Sequence, residues 1–151
     1  MYSREEARQI RLEFWDRFKN YSAVRRRQKG LPAKWMMNNT GIRQLKLKFD
    51  FTDNAAITGI DIETRNEDRR LELFSKLEEL RTLLEKALGQ EMKWELDFPL
   101  PNGKSISRVY VELPGKKIYN KDDWPEIFPF FYKNMLKIET FFKEYKEWIR
   151  D

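Results

Sequence analysis

Two short alternations of apolar and charged residues, each followed by a longer apolar periodicity, organise this chain. Leu45, Leu47, Phe49 and Phe51 alternate with Lys46, Lys48 and Asp50, the two-residue period of a strand buried on one face. Thr52-Asp-Asn54 supplies a turn, after which Ile60 and Ile62 stand opposite Asp61 and Glu63 in a second strand. Leu73, Leu77, Leu80, Leu84 and Ala87 then recur by fours and threes beside Phe74 and Leu88. That spacing predicts one amphipathic helix, opened by Asn66 and ended by Gly89. The pattern returns with Met92, Trp94, Leu96 and Phe98 opposing Lys93, Glu95 and Asp97. A Pro101-Asn-Gly103 turn follows, and Val109, Val111 and Leu113 oppose Arg108, Tyr110 and Glu112.

Ahead of the repeats, Ser3 and Glu6 form a capping box, and Ala7, Ile10, Phe14, Phe18 and Tyr21 predict a first helix over about Arg4 to Tyr21. A last helix is predicted from near Asp123, with Glu126 as its capping partner and Pro129 expected to kink it or split off its first turn. Phe131, Met135, Ile138, Phe142, Tyr145 and Ile149 alternate by four and three along it, beside Phe141 and Trp148. Such a seam can join two chains, so a homodimer through the C-terminal helix is one expectation. The extra aromatics widen the stripe beyond a coiled-coil seam and favour packing over the chain's own sheet. The expected architecture is a single α+β domain over residues 1–151: an N-terminal helix, then two strand–strand–helix repeats forming one four-stranded, mainly antiparallel sheet covered by helices.

Composition narrows the chemistry. The 151 residues include no Cys and no His, which removes disulfides, thiolate nucleophiles, Cys/His zinc sites and imidazole bases. Carboxylates, lysines, hydroxyls and oxygen-bound metals of the magnesium type remain. The opening residues are polar and no long apolar run follows, so a cytoplasmic protein without a membrane partner is expected. Asn38-Asn-Thr40 fits a glycosylation sequon, read as chance in that setting. The net charge of +5 is uneven: residues 1–50 hold 13 Lys and Arg against 5 Asp and Glu, whereas the remainder is slightly acidic. A basic N-terminal third suits an anionic partner such as nucleic acid.

Two places could carry chemistry. Lys46, Lys48, Lys93 and Arg108 share the predicted wet face of the sheet with Asp50, Asp61, Glu63, Glu95, Asp97 and Glu112. Carboxylates with a lysine could hold a metal ion and offset phosphate charge in phosphodiester hydrolysis. Asp61-Ile-Glu63 and Glu91-Met-Lys93 distantly suggest restriction-endonuclease-like elements, but a whole helix separates them. The simpler reading is a solvated face of cross-strand charge pairs. Arg25, Arg26, Arg27, Lys29 and Lys34, with Trp35 beside them, form a predicted basic loop closed by Gly30 and Pro32. Its cations would neutralise phosphates and its indole could stack on an unpaired base; the alternative is a solvated loop with Trp35 in the core. No phosphate loop, dinucleotide fingerprint, nucleophile elbow or calcium loop is present. No cofactor or metal is expected.

Glu5 to Trp15, Lys48-Phe-Asp-Phe51, Gly59-Ile-Asp-Ile-Glu63, Asn102 to Glu112 and Phe141-Phe-Lys-Glu-Tyr-Lys146 together resemble a family of bacterial domains of unknown function. Its members are short stand-alone proteins or the C-terminal part of longer proteins with a nuclease-like domain in front. The resemblance implies one compact α+β domain and a nucleic-acid or defence context, and it carries no catalytic residue onto this chain. Arg25 to Gly30 looks extended compared with shorter members. The expected function is therefore a non-catalytic binding module associated with nucleic acid or defence. The alternatives are a protein-interaction or homodimerising module and a metal-dependent nuclease-like hydrolase.

Overall fold

A computed structural model describes residues 2–151. Helix α1 spans Arg4–Gln28 and opens with both hydrogen bonds of the Ser3–Glu6 capping box. It runs well past Tyr21, because nothing between Ser22 and Gln28 breaks a helix and the first Gly is Gly30. Arg25, Arg26 and Arg27 thus form its last turn rather than a loop, where their charges oppose the negative end of the helix dipole.

The strands are β1 (Leu45–Phe51), β2 (Ala55–Ile62), β3 (Lys93–Pro99) and β4 (Ser105–Pro114). They form one antiparallel sheet in the order β1-β2-β4-β3, so β2 and β4 lie at the centre. Gly59 permits the close approach of β2 and β4, since a Cβ there would lie 2.2 Å from the Val109 carbonyl oxygen. Rows such as Leu47, Ile60, Val109 and Trp94 run across the sheet in register. This face is covered by α2 (Glu67–Glu79), α3 (Arg81–Leu88) and α4 (Trp124–Arg150).

The expected second helix is thus two helices, broken at Leu80. No Gly or Pro marks the break. Leu73, Leu77, Leu80, Leu84 and Leu88 remain buried across it in one core, so packing, not propensity, sets the boundary. Helix α4 continues unbroken through Pro129. The Asp123–Glu126 box does not form: Asn120 caps a short 3₁₀ turn over Lys121–Asp123, Asp123 accepts from the Lys117 N–H at 3.0 Å, and Glu126 pairs with Lys116 at 3.1 Å. Phe131, Met135, Ile138, Phe142 and Ile149 are all buried inside the chain's own core. A second core joins α1 to the start of α4, where Phe14 meets Phe51, Trp124 and Phe131 edge to face. No described helix is long and apolar enough to cross a membrane.

Strand β3 departs from its apparent alternation. Glu95 pairs with Arg108 but Phe98 pairs with Ile106, so Leu96 and Asp97 together face Ser107 in a bulge. The Leu96 carbonyl, released from regular pairing, accepts from the Ser107 hydroxyl at 2.6 Å and from the Arg70 guanidinium of α2. Beyond the bulge every side chain changes face. Phe98 joins the helix-free side, and Asp97 pairs with Arg70 at 3.2 Å instead of lying on the wet face.

Candidate functional site

Arg26 is 1% exposed and Glu139 of α4 is 2% exposed. The guanidinium donates to Glu139 Oε1 at 2.9 Å, to the Pro32 carbonyl at 2.7 Å and to the Lys34 carbonyl at 3.1 Å. The other Glu139 oxygen accepts the Met36 N–H at 2.8 Å. This buried pair latches residues 32–36 onto the helices, and the Arg26 guanidinium lies under the Trp35 ring, 4.2 Å from its centroid. Arg26 is therefore a positioning residue that cannot reach a phosphate.

The latched segment and α1 enclose a groove of about 580 Å³. Trp15, Phe18, Trp35, Met37 and Phe49 make it largely apolar; Lys19, Arg27 and Lys34 stand exposed at its rim; no carboxylate lines it. Ion pairs at this end of the molecule run through Arg8, Arg17, Arg26, Lys121 and Lys143, which leaves those three rim cations without a described acidic partner. Ser22 Oγ and Trp35 Nε1, on two of the lining residues, are buried and have no hydrogen-bond partner within the protein, a cost of roughly 1–3 kcal/mol each. Met37, also at the groove, has φ 45°, a conformation seldom adopted by a residue with a long side chain. Its carbonyl is held by the Leu47 N–H at 3.1 Å. Next to the groove, Tyr132 packs edge-on against Trp35, and burial pushes its phenol above the ordinary value.

Of the six residues expected to bind nucleic acid, Arg27, Lys34 and Trp35 meet at this groove. Arg26 lies beneath it. Arg25 folds back over the Tyr21 ring at 3.5 Å and donates to the Tyr21 carbonyl, while Lys29 caps α1 outside the groove. Trp35 combines both sequence readings, half-buried against Phe49 and Tyr132 yet lining the groove. Lys19 and Ser22 escaped the sequence reading. Trp15, Lys19, Ser22, Ala23 and Arg27 follow the three- and four-residue spacing of one helix face, a line visible only if α1 is carried past Tyr21.

The helix-free face of the sheet is less solvated than expected. Arg108 and Asp61 are 2% and 5% exposed, bonded bidentately at 2.7 and 2.8 Å, with Asp50 3.2 Å from the same guanidinium. Phe98 covers Arg108 at 4.4 Å from ring centroid to guanidinium carbon and meets Tyr110 edge to face. Tyr110 donates to Glu95 at 2.8 Å, Lys93 pairs with Glu112, and Lys46 lies 3.4 Å from Glu63. Burial pushes the Asp61 carboxyl above its ordinary value against the pull of Arg108, and burial together with Glu95 raises the Tyr110 phenol. Burial opposes the Arg108 charge, but its bonds to Asp61 outweigh it and hold its pKa above the ordinary value. Each of these carboxylates is thus engaged by a cation or a phenol. Among the described residues no group of three metal-ligating side chains comes together.

The family model described as "Domain of unknown function (DUF4268)" matches residues 10–146. The chain belongs to that family. No curated protein and no solved structure matches it.

Proposed function

We propose that this protein is a non-catalytic module that binds single-stranded nucleic acid in the groove between α1 and residues 32–37. One observation carries the reading: an aromatic-lined groove with three unpaired cations and no carboxylate. Bases stack on exposed aromatic faces without regard to sequence, and a cationic rim follows the phosphates. A duplex hides the faces of its bases, so unpaired strands are preferred. Catalysis is not part of it, since the carboxylates of the sheet are already paired.

Fluorescence anisotropy with labelled single- and double-stranded oligonucleotides tests the proposal. Binding is expected at about 10⁻⁴–10⁻⁶ M at physiological salt and falls as salt rises. Replacing Lys19, Arg27 and Lys34 with Gln should flatten the logarithmic salt slope by about 2–3 units, at roughly 0.7–0.9 per phosphate contact. Those side chains are exposed, so the variant should keep the parent's denaturation midpoint. A parent that binds neither strand form at low salt, or a variant with an unchanged slope, rejects the reading.

A further inference from the structure

Away from the groove, a cleft of about 740 Å³ opens at the end of the sheet where α2 begins. Arg43, Arg65 and Lys104 reach it from three separate connections: the segment before β1, the β2–α2 loop and the β3–β4 turn. Two of the three carboxylates lining it are already engaged, Glu63 by Lys46 at 3.4 Å and Asp97 by Arg70 at 3.2 Å. Arg70 is 9% exposed and is fixed further by the Leu96 carbonyl and the Ser107 hydroxyl. The β3 bulge therefore organises one wall, because it frees that carbonyl and turns Asp97 toward Arg70. Glu67 is left against three cations that make no ion pair with a described carboxylate.

We infer that this cleft binds a phosphomonoester dianion. The excess of unpaired cations favours an anion of charge near −2, and two guanidinium forks can each take two oxygens of a tetrahedral phosphate while the lysine adds a point charge. No aromatic side chain lines the cleft, so unlike the groove it offers no stacking surface and reads the phosphate rather than a base. Its volume lies in the range of small-molecule sites and leaves room for a sugar-sized body. The same chemistry is presented by a free sugar phosphate and by the terminal phosphate of a strand.

Phosphorus NMR and calorimetric titration with inorganic phosphate and with ribose 5-phosphate provide the test. They compare the parent, a cleft variant (Arg43→Gln, Arg65→Gln, Lys104→Gln) and the groove variant (Lys19→Gln, Arg27→Gln, Lys34→Gln). Saturable, salt-sensitive binding by the parent should weaken about tenfold or more in the cleft variant and stay unchanged in the groove variant. The substituted side chains are exposed, and thermal melting checks that both variants are folded. A second arm compares oligonucleotides with 5′-phosphate and 5′-hydroxyl ends. Tighter binding of the phosphorylated strand, lost in the cleft variant, identifies a strand end as the source; equal binding of both strands, with ribose 5-phosphate still bound by the parent, identifies the free ester. A parent with no saturable binding of either phosphate probe, or a folded cleft variant that binds as the parent does, overturns the inference whatever the groove does.

Discussion

Arg26 and Arg108 are equally hidden and each holds a carboxylate, yet they do different work. Arg26 spends two of its three bonds on main-chain carbonyls of residues 32 and 34, and its partner Glu139 takes a third main-chain group, the Met36 N–H. Arg108 bonds only side chains, Asp61 on the adjacent β2 and Asp50 one strand further on β1, and rests under Phe98. The first pair ties down a segment with no regular structure; the second joins strands that backbone pairing already holds. A buried ion pair of the first kind cannot be exchanged for apolar residues, because it also satisfies a loop's backbone. One of the second kind can.

The largest expected effect follows directly. Arg26→Met leaves the buried Glu139 with only the exposed Lys143, 3.6 Å away, as a cation and strands the Pro32 and Lys34 carbonyls, and should cost about 3–5 kcal/mol in urea unfolding. It should also weaken oligonucleotide binding, because residues 32–36 lose their anchor; a stable variant with normal binding would show the latch to be dispensable. Arg108→Met should cost a similar amount, about 3 kcal/mol, through the stranded Asp61. The comparison sharpens in the double variants. Asp61→Leu with Arg108→Met should return to within about 1 kcal/mol of the parent. Glu139→Leu with Arg26→Met should remain at least about 2 kcal/mol below it, since three main-chain groups stay unpaired. Equal recovery in both denaturation series would erase the distinction.

Smaller effects test the cover over Arg108. Phe98→Ala removes a cation–π contact and an edge contact to Tyr110 and should cost about 1–2 kcal/mol. An unaffected melting curve would mean that the bulge does not place that ring where it matters. Tyr110 and Tyr132 should ionise above the ordinary 10.0 in an absorbance titration, because burial raises both. In the unfolded chain they lose their protons near that value, so the stability they contribute is complete below it and is lost as pH rises toward their folded values. Tyr110→Phe should remove the later part of that alkaline loss.

Much of the fold was legible because local spacing reports local geometry. Leu45 to Phe51 reads as a half-buried strand whatever else the chain does, and the two strand–strand–helix passes announced the single sheet. The candidate groove was legible in part. Arg27, Lys34 and Trp35 stand out as cations beside an indole, but Lys19 and Ser22 carry no local signal once α1 is ended too early. The same limit explains Arg26, which in sequence is indistinguishable from Arg25 and Arg27; helical rotation turns it toward Glu139, more than a hundred residues away.

By itself, then, the sequence determined the element types, the α+β class, the apolar faces and the exclusion of thiol and imidazole chemistry, all properties set by residue identity and short-range periodicity. Tertiary structure alone decided the strand order, the break at Leu80, the switch of Phe98 to the opposite face, and which cations stay free. Each of these depends on partners distant in sequence. A bulge shifts register only against a neighbouring strand, and a charge is free or paired only according to which carboxylate the folded chain brings within reach.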